Sequence, residues 1–252
     1  MISAAVKEGF AIGKVDRLRT IVYMFDIWRL ALGDDPPAKV PPMRIRLKKG
    51  AVPYKAKARK YAPDQQEFLE TFNEKLVRIK WVRESLNSRW ACAALPVRKR
   101  GGAGYRQTND YKPVNVQTEP MAGVMPNIQV DLQKVHGCCH FGLFDFIKGY
   151  WQLPLAEECQ EMLSYLTHRK IYTPLRVPQG CADAALFFRS TMEKCFQTLL
   201  YAHLLVWIDD LLLYAKDIDT YLDKLTELFE LMDKFDFKLS ASKSCLYKSE
   251  VK

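Results

Sequence analysis

The 252-residue sequence has no long hydrophobic run, no Cys-x-x-Cys pair and only seven cysteines. No apolar run approaches the roughly 20 residues that a helix needs to cross a bilayer, which excludes a membrane span. An odd number of cysteines in a chain of this size argues against a secreted disulfide framework. The N-terminal residues reach a glycine and several charges before any sustained apolar stretch, so no signal peptide is expected. These absences together predict a soluble intracellular protein.

The composition is that of a globular protein, with 48% hydrophobic residues, and the formal net charge of +9 is unevenly distributed. Residues 39–60 carry nine Lys and Arg and no acid, whereas residues 209–236 carry nine acids and three lysines. A second acid-free run, 96–109, surrounds a glycine-rich loop. A solvated lysine-rich surface is the plain explanation of one such run. Two runs, one of them around a glycine loop, favour binding of nucleic acid or nucleotide phosphate.

The apolar periodicity predicts strands and helices in irregular alternation, which indicates an α+β fold with a sheet covered by helices. Helices are predicted over residues 18–32, from Pro63 onward, over 184–200 and over 217–235. Strands are predicted over residues 95–97, 105–111, 138–146, 161–166, 171–177 and 203–214.

Two adjacent aspartates, Asp209 and Asp210, interrupt the last of these strands at a predicted hairpin turn. An exposed Asp-Asp turn is common and needs no function. However, Asp145 also ends an apolar strand, and neighbouring strands would bring the three carboxylates to one edge of the sheet. Three hard oxygen ligands suit Mg²⁺. A pair of such ions can activate a primer 3′-hydroxyl and stabilise a leaving pyrophosphate.

Five blocks resemble, in the correct order, the consecutive blocks of reverse transcriptases. They are DYKPVN (110–115), FDFIKGYWQLPL (144–155), VPQG (177–180), WIDD (207–210) and KLSASKSCLYKSEVK (238–252). The likeness runs from about residue 18 to the end and is greatest to the pol polyprotein of gypsy-class LTR retrotransposons. Five blocks in order form a specific signal, although each block alone is weak.

The resemblance implies a right-hand polymerase fold with fingers and palm, in which a ferredoxin-like antiparallel palm sheet packs on helices. The thumb is expected to be absent, because the chain stops at Lys252. The implied division is an N-terminal helical lead-in over 1–38, fingers over 39–120 with the basic segment 39–60, and palm over 121–252. Part of 150–180 is expected to return to the fingers.

The resemblance also implies roles for four residues around the metal site. Asp145 matches the first catalytic aspartate, and Asp209 and Asp210 match the adjacent catalytic pair; all three would bind metal. Tyr150 matches an aromatic steric gate that would crowd a 2′-hydroxyl and favour dNTPs over rNTPs. Without the motif, Tyr150 is an aromatic core residue beside Trp151.

Three further residues would bind the incoming nucleotide or its phosphates. Lys99 and Arg106 match a pair in the fingers that clamps the triphosphate, and Arg98 or Arg100 is an alternative to Lys99. Gln179 matches a residue that packs under the nucleotide. A guanidinium group forms a planar fork for phosphate oxygens, and an ammonium group acts as a point charge.

The implied function is that of an RNA-directed DNA polymerase, which adds dNTPs to a primer 3′-hydroxyl with two Mg²⁺ ions, or Mn²⁺ as a substitute. Its expected partners are an RNA or DNA template-primer, dNTPs, and the thumb, connection and RNase H segments of the same polyprotein; no membrane partner is expected. The expected location is the cytoplasm, in a virus-like particle, with the nucleus as an alternative. Lys243 matches a basic position of the family and has no assigned role.

Two other functions stay open. One is a catalytically inactive remnant of a retroelement that still binds nucleic acid through its basic surface. The other is an RNA-dependent RNA polymerase, which also has adjacent aspartates at a hairpin. The ring of Tyr150 disfavours the RNA polymerase, because such an enzyme must admit a 2′-hydroxyl.

Overall fold

The computed structural model describes residues 1–99, 101–102, 104–123 and 133–250 of the chain. Over these residues the α-helices are α1 (Ile2–Lys7), α2 (Val15–Met24), α3 (Pro63–Arg78), α4 (Lys112–Asn115), α5 (Gly149–Gln152), α6 (Glu157–Gln160), α7 (Ala184–Cys195) and α8 (Ile218–Phe235). The strands are β1 (Trp28–Arg29), β2 (Val82–Glu84), β3 (Cys92–Arg98), β4 (Tyr105–Asn109), β5 (His140–Asp145), β6 (Tyr165–Leu166), β7 (Ile171–Pro174), β8 (Leu204–Trp207), β9 (Asp210–Ala215), β10 (Leu239–Ser240) and β11 (Cys245–Lys248). No helix in this described part is both long and apolar enough to span a membrane.

A four-stranded antiparallel sheet has the strand order β11-β5-β9-β8. Helix α8 lies against it, with apolar residues recurring every three or four positions and all of them buried: Tyr221, Leu222, Leu225, Leu228, Phe229 and Met232. The ring of Phe144 on β5 meets the ring of Phe229 edge-on, with 5.5 Å between centroids. The predicted arrangement of an antiparallel sheet packed on helices is therefore present.

A five-stranded sheet has the order β2-β7-β6-β3-β4, in which only the β3–β6 pair is parallel. A buried polar network ties α3 to this sheet. The hydroxyl of Tyr165 donates to Oδ1 of Asn73 at 2.7 Å, and Nδ2 of Asn73 donates to Oε1 of Gln107 at 2.7 Å. Residues 165–174 thus belong to the same sheet as residues 82–109, although 55 residues or more separate these strands in the chain.

The helix predicted over residues 18–32 is wrong beyond Met24. Helix α2 ends there, because Phe25 has an extended backbone (φ −119°, ψ 140°). The chain then forms β1, which pairs in parallel with β10, so that Trp28 lies beside Leu239. Ile27, just before this strand, is fully buried, and a short apolar run cannot distinguish a strand from a helix.

Three other predicted elements are shorter by three residues or more at one end in the structure. Residues 161–163 form a 3₁₀ turn, so the strand there begins at Tyr165. Strand β7 ends at Pro174, which has no N–H to continue the ladder. Helix α7 ends at Cys195, yet Phe196 and Leu199 in the following turn are fully buried and so continue the apolar pattern.

Gly142 on β5 is a position where a single methyl group should destabilise the sheet. A Cβ atom at this position would lie 2.5 Å from the hydroxyl oxygen of Tyr221 and 2.8 Å from the ring of Phe144. We expect Gly142→Ala to lower the free energy of unfolding by roughly 1–3 kcal/mol, because the site is already filled. Urea denaturation measures this effect. Gly13→Ala, where no atom lies within 4 Å, is the control, and equal losses for the two variants would contradict the packing argument.

Candidate active site

Strands β5 and β9 bring carboxylates together at one end of the four-stranded sheet. Asp145 is the last residue of β5 and lies directly opposite Asp210, the first residue of β9. Directly opposed residues of antiparallel strands have side chains on the same face. The N–H of Phe146 donates to the backbone oxygen of Asp209 at 3.2 Å, which places Asp209 beside this pair. The three aspartates meet at one sheet edge, and their catalytic role stays a prediction.

The turn that carries Asp209 is strained. Trp207 and Asp210 are paired across the β8–β9 hairpin, which leaves Ile208 and Asp209 as the two turn residues. Ile208 has φ 54°, a left-handed conformation that is unfavourable for a β-branched residue. Such conformations cost about 1–3 kcal/mol each and persist where the surrounding structure stabilises them, often at functional sites. The strain therefore supports a functional role for this hairpin.

Lys243 forms an ion pair with Asp145. Its Nζ lies 3.1 Å and 3.0 Å from the two carboxylate oxygens of Asp145. The side chain of Asp145 is 17% exposed and that of Lys243 is 65% exposed. The next residue also contributes, because the N–H of Asp145 donates to Oγ of Ser244 at 3.2 Å. Lys243 and Ser244 of the KLSASKSCLYKSEVK block thus both contact Asp145. These contacts place Lys243 at the carboxylate edge, and they do not by themselves assign it a role.

The charges at this edge favour a bound cation. Burial raises the pKa of Asp210, the negative charges of Asp209 and Asp145 raise it further, and Lys243 partly opposes them. Carboxylate oxygens are hard ligands of the kind that Mg²⁺ prefers. In the described part of the chain, no three His, Cys, Asp or Glu side chains are close enough together to hold a metal ion. The donor chemistry and the repulsion that raises the pKa of Asp210 fit a divalent cation, although the described carboxylates do not stand close enough together here to form a closed set of ligands.

Asp210→Asn is expected to raise the free energy of unfolding at neutral pH. The raised pKa means that folded protein holds the Asp210 proton more tightly than unfolded chain does. The contribution of Asp210 to the free energy of unfolding is present in full below the pKa of an aspartate in the unfolded chain, about 3.9. It is lost as pH rises through the higher pKa of Asp210 in the folded protein.

The gain from Asp210→Asn should therefore appear as pH rises through this window and be absent near pH 3. Urea denaturation across this pH range tests the expectation, with exposed Asp233→Asn as the control. A variant that is less stable than the wild type at neutral pH would contradict it.

A cleft of about 390 Å³ opens beside the aspartates. Its lining includes four of the residues singled out in the sequence, namely Asp145, Tyr150, Gln179 and Asp209. The N-terminal segment Leu30–Leu32 also lines the cleft, together with Ser240, Ser242 and Lys243. Local periodicity does not predict this N-terminal wall, because Leu30–Leu32 are placed by the preceding strand β1, whose partner β10 lies far along the chain.

Tyr150 is half-buried at the cleft surface. Its ring packs against Phe188, with 5.3 Å between centroids. Burial raises the pKa of the Tyr150 hydroxyl, and the charge of Asp209 adds to this effect. The ring therefore both packs on the core, as the plain structural explanation expects, and lines the cleft, as the steric gate requires.

Gln179 lies on a loop that Asn115 holds in place. Nδ2 of Asn115 donates to the backbone oxygen of Gly180 at 3.0 Å, and its Oδ1 accepts from the N–H of Ala182 at 2.8 Å. Gly180 has φ 97°, which favours glycine. Asn115 is not among the residues predicted to be functional, although it ends the DYKPVN block, which is a sequence signal for it.

Lys99 and Arg106 lie on the hairpin of β3 and β4, and both are exposed. Arg106 is paired with Val97, whereas Arg98 is paired with Tyr105 and has its guanidinium carbon 5.8 Å from that ring. Because side chains alternate along a strand, Arg98 and Arg106 lie on opposite faces of the hairpin. This geometry favours Lys99 over Arg98 as the partner of Arg106.

The remaining alternative, Arg100, lies outside the described residues.

Comparisons with known proteins agree with the resemblance. A family model described as reverse transcriptase (RNA-dependent DNA polymerase) matches residues 97–252. The retrovirus-related Pol polyprotein from transposon 297 of Drosophila melanogaster is 29% identical over 150 residues, which are 60% of this chain and 14% of that polyprotein. The genome polyprotein of Petunia vein clearing virus is 28% identical over 171 residues, 67% of this chain and 8% of that polyprotein. This chain thus spans a small part of the length of either relative.

The fold is also found in a solved structure. The foamy viral protease-reverse transcriptase in complex with RNA/DNA hybrid has a TM-score of 0.89, with 17% sequence identity, over 99% of this chain and 33% of that chain. At this identity the likeness establishes the fold, a mixed α+β architecture with sheets packed on helices. The family model covers more than half of the chain, including Asp145, Asp209 and Asp210. The protein therefore belongs to the reverse transcriptase family.

Proposed function

We propose that the chain catalyses RNA-directed DNA synthesis by adding dNTPs to a primer 3′-hydroxyl. The observation that carries this proposal is the register of β5 and β9, which sets Asp145 opposite Asp210 and next to Asp209. This carboxylate edge borders a cleft that also contains Tyr150. Membership of the reverse transcriptase family supports the same reaction.

Two Mg²⁺ ions are proposed as the cofactors, with Mn²⁺ as a substitute. The carboxylates of Asp145, Asp209 and Asp210 would hold them, since these are the hard donors at the cleft edge. The ions would supply activation of the primer hydroxyl and stabilisation of the departing pyrophosphate. The chain itself positions the carboxylates through the strained turn at Ile208 and the ion pair between Lys243 and Asp145.

The incoming dNTP is proposed to bind in the 390 Å³ cleft, whose volume suits a small-molecule ligand. Tyr150, held against Phe188, would exclude a 2′-hydroxyl at the sugar. Gln179 would pack under the nucleotide. Lys99 and Arg106 would approach its phosphates from the β3–β4 hairpin.

The proposed division of the chain has a lead-in over residues 1–38, fingers over 39–120 and palm over 121–252. The pairing of β3 with β6 supports the return of part of 150–180 to the fingers. In the basic segment 39–60, all nine Lys and Arg side chains lie in exposed residues. That charged surface suits the backbone of an RNA or DNA template-primer.

We place the chain in a gypsy-class LTR retrotransposon Pol polyprotein on the strength of the five sequence blocks. The remaining polymerase and RNase H segments of that polyprotein are proposed partners. The proposed location is the cytoplasm, in a virus-like particle, with the nucleus as an alternative. A retroelement source is consistent with the similarity to a transposon Pol polyprotein.

Extension of a labelled DNA primer on an RNA template, with Mg²⁺ and dNTPs, tests the proposed activity. We expect addition of the nucleotide that the template specifies, and none when the metal is chelated. The second candidate, a nucleic-acid-binding remnant, predicts salt-sensitive binding of the template-primer without extension. Binding without extension would therefore contradict the polymerase and favour the remnant.

A further inference from the structure

Arg176 is a buried arginine next to the short helix that contains Tyr150. It is 5% exposed and lies two residues after the end of β7. Its backbone pairs with Pro154, and the N–H of Val177 donates to the backbone oxygen of Leu153 at 3.1 Å. These contacts place Arg176 beside the chain that leaves α5, the four-residue helix in which Tyr150 is the second residue.

The guanidinium group of Arg176 binds backbone carbonyls from two separate segments. Its Nη1 donates to the backbone oxygen of Trp151 at 3.3 Å, and its Nη2 donates to the backbone oxygen of Asp35. Trp151 follows Tyr150 on α5. Asp35 lies three residues after Leu32, which lines the cleft. One side chain therefore joins the helix that contains Tyr150 to the N-terminal segment of the cleft.

Two tryptophan rings extend this contact. The guanidinium carbon of Arg176 lies 4.8 Å from the ring centroid of Trp81, a distance at which a cation is attracted to a ring face. The rings of Trp81 and Trp151 are stacked, with 5.9 Å between centroids and 19° between planes. The guanidinium group thus contacts α5 both directly, at the Trp151 carbonyl, and through the ring of Trp81.

The charge of Arg176 is only partly balanced. The carboxylate of Asp35 attracts it, but the same carboxylate is held by Arg29, whose Nε lies 3.0 Å and 3.1 Å from its two oxygens. Loss of water around the guanidinium group lowers the pKa of Arg176 to about 10. An apolar residue of similar volume is often at least as stabilising as a buried charge. Stability alone therefore does not account for an arginine here, whereas a planar fork of donors for two carbonyls does.

We propose that Arg176 is a positioning residue that holds Tyr150 in place through the carbonyl of Trp151 and so sets the preference for dNTPs over rNTPs. The inference rests on the proposed function, in which Tyr150 meets the sugar of the nucleotide. The ring of Tyr150 packs against Phe188. Arg176 fixes the backbone to which that ring is attached, and a shift of this backbone gives space to a 2′-hydroxyl. A role in packing alone predicts no change in substrate preference.

The kinetics of single-nucleotide addition with dTTP and with UTP test this role. Arg176→Met removes the guanidinium group and keeps an unbranched apolar side chain that suits a buried site. We expect the ratio of kcat/KM for dTTP to that for UTP to fall by about fivefold or more, because small displacements in a positioned site have large kinetic effects. Arg176→Lys should give a smaller fall, since an ammonium group keeps the charge without the planar fork. Arg83→Met, at an exposed residue of β2, is the control and should keep the wild-type ratio.

A double-variant cycle with Tyr150→Val shows whether Arg176 acts through Tyr150. Residues that act through one another have non-additive effects. Adding Arg176→Met to Tyr150→Val should therefore leave the ratio within about twofold of that of Tyr150→Val alone. A further fall by the full factor seen in Arg176→Met would overturn the positioning role, and so would an unchanged ratio in Arg176→Met.

Hydrogen exchange measures the hold of Arg176 on α5 without any need for activity. The N–H of Trp151 donates to the backbone oxygen of Lys148 at 2.8 Å, and that of Leu153 donates to the backbone oxygen of Tyr150 at 3.0 Å. Both amides should exchange about 10-fold faster in Arg176→Met, because the local structure opens more readily, whereas the amides of α8 should keep their wild-type rates.

The two proposals can fail separately. If the wild type extends no primer but the α5 amides exchange faster in Arg176→Met, the polymerase proposal fails and the hold of Arg176 on α5 stands. If the wild type extends primers and Arg176→Met changes neither the ratio nor the exchange, the polymerase stands and the role of Arg176 is overturned. Thermal melting checks the fold of each variant, and Arg176→Lys replaces Arg176→Met in the test if the latter does not fold.

Discussion

Asp145→Asn is expected to lower the rate of primer extension by about 10³-fold or more. The substitution removes a carboxylate from the proposed metal site, and loss of several kcal/mol of transition-state stabilisation corresponds to this factor. It also replaces the negative partner of Lys243 with a neutral amide of nearly the same shape. The rate of single-nucleotide addition under saturating template-primer measures the effect.

The control must separate loss of charge at the site from loss of an aspartate in general. Asp233→Asn changes an exposed residue on α8, far along the chain from the carboxylate edge, and should leave the rate unchanged. Template-primer binding by Asp145→Asn should persist, because phosphate contacts dominate it. A rate within tenfold of the wild type for Asp145→Asn would show that Asp145 does not bind the catalytic metal.

Tyr150→Val is expected to reduce the preference for dNTPs over rNTPs by about 10- to 200-fold, the range for a small steric change in a pocket. The ring of Tyr150 is fixed against Phe188, so it cannot readily move aside for a 2′-hydroxyl. A valine leaves that space open. The ratio of kcat/KM for dTTP to that for UTP measures the preference.

Tyr150→Phe is the matched variant, because it keeps the ring and removes only the hydroxyl. It should retain the wild-type preference for dNTPs. Equal preferences in Tyr150→Val and the wild type would contradict the steric gate and favour the plain role of Tyr150 as a packing residue. Dominant rNTP use by the wild type would favour the RNA polymerase alternative.

The elements nearest the carboxylate edge could be predicted from the sequence, because local patterns determine them. Alternation predicted the strand that ends at Asp145, and Asp209 and Asp210 marked the hairpin. Helix α8 begins where Asp217 caps it, with the Thr220 N–H donating to Oδ1 of Asp217 at 2.9 Å. Each of these signals lies within a few residues of the element that it predicts.

Other features depend on partners that are distant in the chain. The segment after Met24 forms a strand because β10 lies beside it, more than 200 residues away. The pairing of Lys243 with Asp145 joins residues 98 positions apart. Local periodicity contains no information on such contacts. The DYKPVN block marks Asn115 as part of a family motif. It does not indicate that the Asn115 side chain bonds to the loop at Gly180 and Ala182.

The most direct test of the central claim is the crystal structure of the chain with Mn²⁺, a primed template and a non-hydrolysable dNTP. Anomalous scattering locates Mn²⁺ independently of the model. We predict Mn²⁺ bound by the carboxylates of Asp145, Asp209 and Asp210, with the nucleotide sugar against Tyr150. An ordered nucleotide with no metal at these three carboxylates would contradict the account.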